Sequence, residues 1–320
     1  MDLHLLVDNL TNPALLFFFL GIMAVQVKSD LEIPPNSSKF ISLYLLFSIG
    51  FKGGQELSHS ALDMEIVWSL LFGILLAVVV PLYTFFILKR TFTIPNAGAI
   101  AAAYGSISAV TFVTAISFLE VEQINFDGHM VAVMALMEAP SIIVGVLLMS
   151  LFKEDQTKNM SMGPVLHHSI TNGSVVLILG SLVIGFIASD KQAEGIAPFT
   201  TDIFKGFLAV FLLDMGITSG KKLASFLKHG AFPFIFAIVV PLINGCLVSL
   251  ASGVITESVG NRFLFAILAA SASYIAVPAA MRIAAPEANP SLYLPMALAI
   301  TFPFNITLGM PIYLSLIQMG

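Results

Sequence analysis

Apolar positions in this chain run in blocks and do not alternate with polar ones. Stretches of about 17 to 25 mostly apolar residues recur from end to end, the length at which a helix crosses a ~30 Å hydrocarbon layer at 1.5 Å per residue. Strands of a membrane barrel are shorter and alternate in polarity, so the pattern predicts membrane helices. Ten spans are predicted, near 13–27, 38–51, 66–88, 96–119, 128–152, 172–189, 200–218, 229–253, 262–284 and 291–318. The first follows Asp2 and Asp8 without the basic leader of a signal peptide, and is read as a mature span. The longest polar stretch, 153–171, falls near the middle and divides the chain into halves at 1–152 and 172–320.

The halves resemble each other. Ala77-Val-Val-Val-Pro-Leu82 returns as Ala237-Ile-Val-Val-Pro-Leu242, an offset of 160. Ile49-Gly50-Phe51-Lys52-Gly53-Gly54 returns more loosely at Met215 to Gly220, Ser106-Ile107-Ser108 returns as Ser271-Ala272-Ser273, and Pro140 pairs with Pro303, at offsets of 166, 165 and 163. With five spans per half, the second copy enters the membrane from the opposite side. The expected fold is therefore all-α and integral to the membrane, ten helices arranged as two inverted five-helix repeats.

Composition agrees with the pattern. Over 320 residues, 58% are hydrophobic and 10% charged, with a mean hydropathy of +0.95, more apolar surface than one water-soluble core can hide. Basic residues then orient the spans. Ten of the 14 lysines and arginines fall on the side of the linker and four on the other, so the positive-inside rule puts 153–171 in the cytoplasm and both termini outside, in a plasma or inner membrane. The only cysteine, Cys246, excludes an intrachain disulfide.

Candidate chemistry sits where apolar runs are interrupted. In the fourth span Tyr104-Gly105-Ser106-Ile107-Ser108 leads to Thr111, and in the ninth Ala270-Ser271-Ala272-Ser273-Tyr274-Ile275 leads to Pro278. Pro278 has no amide hydrogen and crowds the preceding turn, so the backbone near Ser273 and Tyr274 is expected to lose helical hydrogen bonds. Non-helical backbone at membrane depth is tolerated where it lines a cavity. Two broken helices, with half-helices beginning near Ser106 and Ser271, would aim amides and positive dipole ends at the midplane. That suits an anion at Gly105, Ser106, Ile107, Ala270, Ser271 and Ala272. The serine hydroxyls and opposing carbonyl ends suit a sodium ion near Ser108, Thr111, Ser273, Tyr274 and Ile275. Close helix packing by small residues is the competing reading, and the recurrence in both halves weighs against it.

Glu138 and Asp214 lie inside apolar spans, at an insertion cost of ~2.5–3.5 kcal/mol each. Glu138 precedes Pro140 in the same half as the first break and is read as a sodium ligand; Asp214 and Asn305 are secondary candidates. His4, His59, His129, His167, His168 and His229 fall at span ends or in loops, and no His-Glu-x-x-His or phosphate-binding glycine loop occurs. An enzyme is not expected, nor an organic cofactor, nor a nucleic-acid partner.

At these broken helices the chain resembles the cyanobacterial-type sodium-dependent bicarbonate transporter family. The resemblance is carried by Ile49 to Gly54, Gly105 to Thr111, Met137-Glu138-Ala139-Pro140, Ala269 to Pro278 and Ala288-Asn289-Pro290-Ser291. It implies a core of spans 3 to 5 and 8 to 10, a gate of spans 1, 2, 6 and 7, homotrimers in the bilayer, and bicarbonate bound with sodium between the crossing helices. Elevator-like movement of core against gate would carry the site across. Cyanobacterial members usually place an aspartate at Tyr274 and a serine at Ala276, so the resemblance predicts no more than one sodium per anion. The linker lacks their long polar insertion, on which a trimeric nitrogen-regulator-like cytoplasmic partner would bear. A sodium-coupled carrier of another small anion, such as a monocarboxylate, and a non-transporting ion-binding sensor or channel-like protein are the alternatives.

Overall fold

A computed structural model describes residues 7, 9–59, 63–152, 163–164, 167 and 171–319, apart from the side chains of 224, 225 and 229. Most of the linker expected at 153–171 lies outside these residues, as do Asp2, His4, Asp8 and His168. Everything described is helix, turn or loop, without a strand. In chain order the helices are α1 (Pro13–Gln26), α2 (Pro35–His59), α3 (Met64–Leu88), α4 (Ile94–Gly105), α5 (Ala109–Val121) and α6 (His129–Phe152). Beyond the linker come α7 (Gly173–Ile187), α8 (Phe204–Phe226), α9 (Ala231–Ala251), α10 (Val259–Ala270), α11 (Ala276–Ala284) and α12 (Pro290–Met319). Their starts carry recognisable signals. Asn12, Asp63, Asn172 and Asn289 each cap a first turn with a side-chain oxygen, and Pro13 and Pro290 occupy first-turn positions where no amide is needed.

Among the described residues, six helical segments are long and apolar enough to cross a membrane, fewer than the ten spans expected. The shortfall has physical causes. With 14 and 15 residues, α1 and α7 reach only ~21–22 Å at the α-helical rise. The second helix is longer than its predicted span 38–51, because it continues through Lys52, Glu56 and His59 into a polar end that lowers its hydropathy. The ninth span is two short pieces, α10 and α11.

Two sets of helices pack closely within themselves. α1 runs parallel to α8, and α2 parallel to α7. Gly21 and Gly216 bring the first pair to backbone contact, and Gly50, Gly54 and Gly185 the second, where any Cβ would collide with a carbonyl. Small residues are what allow such approach in lipid, where no hydrophobic force drives helices together. The other set builds two clusters, α3 with α4 and α6, and α9 with α10 and α12, joined where α10 meets α5 and α11 meets α4. Here α4 is buried from Ala97 to Gly105 and α10 from Phe263 to Ala270. The last helix contains π-helical stretches at Met296–Thr301 and Asn305–Gly309, after Pro295 and Pro303, where missing proline amides shift the hydrogen-bond register.

Candidate functional site

Both crossing segments are interrupted at the serine motifs, but not where the half-helices were expected to begin. Ser106 and Ser271 close the preceding halves, with nearly identical extended backbone (φ −85°, ψ 177° and φ −84°, ψ 169°). The following halves begin three and five residues later, at Ala109 and Ala276. The reason is local: Ser108 is the N-cap of α5, its Oγ accepting from the Thr111 amide at 3.1 Å, and Pro278 sits in the first turn of α11, where its missing amide is harmless.

The breaks are stitched together. The Ser108 amide donates to Ser271 Oγ at 3.1 Å, and the Ser273 amide donates to the Ala103 carbonyl at 2.8 Å. Ser271 Oγ donates in turn to the Leu268 carbonyl, and Ser273 Oγ accepts from the Val277 amide at 3.3 Å. Ser106 is fully buried and its hydroxyl has no partner among the described residues. The Tyr274 hydroxyl, also buried, lies beside Ser108 without hydrogen-bond geometry.

Between the breaks is a cavity of about 30 Å³. It has room for one or two water-sized groups. Of the sequence candidates, Ile107, Ser108, Glu138, Ser273, Tyr274 and Ile275 line it. Gly105, Ser106, Thr111, Ala270, Ser271 and Ala272 form the buried backbone behind it. Glu138 is its one charged residue, 5% exposed and with no hydrogen bond or ion pair among the described residues. Among those residues, too, no hydrogen bond reaches the amides of Ile107, Ala109, Tyr274, Ile275 or Ala276, all of which line the cavity. Backbone amides without a partner attract an anion and a carboxylate attracts a cation, so the residues around this space carry groups of both kinds.

Besides Glu138 of α6, two lining residues come from outside the interrupted spans, Leu46 of α2 and Ser174 of α7. Sequence reasoning missed both, since an apolar residue and a serine at a helix start carry no signal of their own. Tyr274, Ile275 and Ser174 also line a vestibule of about 530 Å³, walled by α2 and α8 and containing Ser38, Lys39, Asp214 and Lys221. Asp214 belongs to this approach, not to the cavity; its carboxylate accepts from Ser38 Oγ at 2.5 Å. Asn305 is turned to the second break from behind, its Nδ2 donating to the Ala270 carbonyl at 2.7 Å and its Oδ1 accepting from Tyr313 at 3.1 Å. At the opposite ends of α2 and α8, Lys52 and Lys205 lie 3.0 Å and 3.5 Å from Glu120 of α5.

Comparison with known proteins bears directly on this arrangement. No curated protein matches the chain. A family profile does, over residues 13–318, and it covers both breaks, Glu138 and every residue of the cavity. Its members are membrane transporters, which fits a multi-pass helical chain and implies an anion as substrate and a role other than catalysis. On that match over nearly its whole length, the chain belongs to the Na+-dependent bicarbonate transporter superfamily.

Proposed function

We propose that this protein is a sodium-coupled bicarbonate symporter that works by an elevator movement. The observation that carries the reading is the cavity between the breaks, lined by Glu138 and by residues of both halves whose amides make no hydrogen bond among the described residues. Bicarbonate takes the amides, sodium offsets the carboxylate and the anion, and the backbone stitches hold the two breaks as one unit. Sodium neutralises charge that would otherwise be carried bare through a low-dielectric passage.

Ten helices in two inverted repeats account for the packing. Under exchange of the halves, the α1–α8 contact maps onto the α2–α7 contact, and the α3–α4–α6 cluster maps onto α9–α10–α12. One hydrogen bond recurs at the repeat offset: Ser141 Oγ donates to the Ala77 carbonyl at 2.9 Å, and Thr301 Oγ1 to the Ala237 carbonyl at 2.7 Å. The set α1, α2, α7 and α8 then serves as gate, and the remainder as the moving core. The vestibule lies on the lysine-rich side, so with termini outside it opens to the cytoplasm. On this reading the protein sits in a plasma or inner membrane and assembles as a homotrimer.

Uptake of labelled bicarbonate into proteoliposomes, with and without an inward sodium gradient, tests the reading. Sodium-dependent accumulation is expected. Uptake indifferent to sodium refutes symport, and inhibition by a monocarboxylate but not by bicarbonate moves the substrate class to the organic anions.

A further inference from the structure

The two breaks are alike in backbone and unlike in what their polar groups do. Matched at the offset of 165 residues that aligns Ser106 with Ser271, Tyr104 and Gly105 correspond to Ala269 and Ala270, the last residues of α4 and α10. In a continuous helix these four carbonyls would accept amides from the next turn; the breaks free them. In the second repeat both are taken. Asn244 Nδ2 of α9 donates to the Ala269 carbonyl at 3.2 Å, and Asn305 Nδ2 of α12 to the Ala270 carbonyl at 2.7 Å. Each asparagine is buried and held by a tyrosine, Tyr83 donating to Asn244 Oδ1 at 2.6 Å and Tyr313 to Asn305 Oδ1 at 3.1 Å. The Ser271 hydroxyl is occupied as well, donating to Leu268 and accepting from Ser108.

In the first repeat the corresponding groups are unspent. Among the described residues no hydrogen bond reaches the Tyr104 or Gly105 carbonyl, and the fully buried Ser106 hydroxyl has no partner. The buried, unpaired acid Glu138 is on α6, which packs along α4 in this same half. A helix carbonyl end, a free hydroxyl and a carboxylate each attract a cation, and the first half carries all three, with Glu138 and Ser108 on the cavity wall and Ser106 buried at the break. An amide NH2 meeting a carbonyl supplies the partial positive charge that a cation would otherwise bring to it.

We infer that the first break alone binds the coupling cation, and that Asn244 and Asn305 are positioning residues that stand in place of a second cation at the other break. The carrier therefore moves one sodium per bicarbonate. This deepens the symport reading and rests on it, but it comes from the hydrogen bonds of the second repeat.

The test is the ratio of 22Na+ to labelled bicarbonate taken up by the unaltered protein in proteoliposomes, together with the sodium dependence of three variants. A ratio of 1 and a Hill coefficient near 1 are expected; a ratio of 2 overturns the inference while leaving symport intact. Ser106→Ala should raise the sodium concentration for half-maximal uptake about tenfold or more. Ser271→Ala should leave it within about twofold, whatever its effect on maximal rate; equal shifts in the two variants overturn the asymmetry. Asn305→Asp removes a donor and adds a carboxylate, and should raise the Hill coefficient toward 2. A well-inserted, active Asn305→Asp protein with a coefficient still near 1 counts against the asparagine's role. The flux ratio of the unaltered protein decides if that variant does not fold. Absence of any sodium-dependent bicarbonate uptake refutes the symport reading itself, and the inference falls with it.

Discussion

Neutralising Glu120 should release the end of the molecule opposite the vestibule. The Glu120 carboxylate on α5 lies 3.0 Å from Lys52 on α2 and 3.5 Å from Lys205 on α8, so it ties α5 to both of these helices. The side chains are 28%, 35% and 60% exposed, which places each pair in the range of ~0.2–1 kcal/mol measured for solvated ion pairs. Together they hold this end closed by ~1 kcal/mol, about a fivefold bias in a two-state equilibrium at room temperature. A cavity of about 310 Å³ at this end is lined by Ile49, Lys52 and Gln123, and Ile49, only 3% exposed, reports opening. In a Cys246→Ala background carrying Ile49→Cys, Glu120→Gln should speed labelling by an impermeant maleimide about fivefold. Raising choline chloride to ~1 M, where the screening length falls to ~3 Å, should bring the parent most of the way to the variant rate. If Glu120→Gln leaves labelling unchanged, or if Gln123→Ala on the same pocket wall speeds it equally, the ion pairs are not what holds this end shut.

Three further outcomes are expected. Glu138→Gln should raise the sodium requirement for uptake about tenfold or more, equivalent to ~1.4 kcal/mol of cation binding, whereas Asp214→Asn, in the vestibule and bonded to Ser38, should change it less than about threefold; sodium titration of uptake distinguishes them. Ser141→Ala removes the donor to the Ala77 carbonyl and should cost ~1 kcal/mol, and Thr301→Val, which breaks bonds to both Ala237 and Tyr104, should cost more, read as the order of melting temperatures in detergent. A cysteine at Ser29, in the turn between α1 and α2, should be labelled only from the cytoplasm if both termini are outside, and labelling in intact cells by an impermeant reagent reverses the orientation.

Membrane residence, helical class and family membership were legible in the residues alone. Lipid as solvent imposes run length and composition on every span, and the serine motifs with Glu138 and Pro140 carry enough identity to place the chain in its family. The interruption of the fourth and ninth spans could also be read, since Pro278 and clustered small polar residues are local causes. Tertiary structure decided what those residues do. Ser106 and Ser271 end half-helices because the next ones start later, where Ser108 caps α5 and Pro278 takes the first turn of α11, a placement that only the folded dihedrals show. Asp214 stands in the vestibule and Asn305 behind a break, although both read in one dimension as lone polar groups in apolar runs. The capping of Ala269 by Asn244 joins residues 25 apart, and that of Ala270 by Asn305 joins residues 35 apart. The sequence repeat makes the two breaks look equivalent; their inequality arises from side chains on neighbouring helices, whose reach across a packed interface no periodicity along the chain encodes.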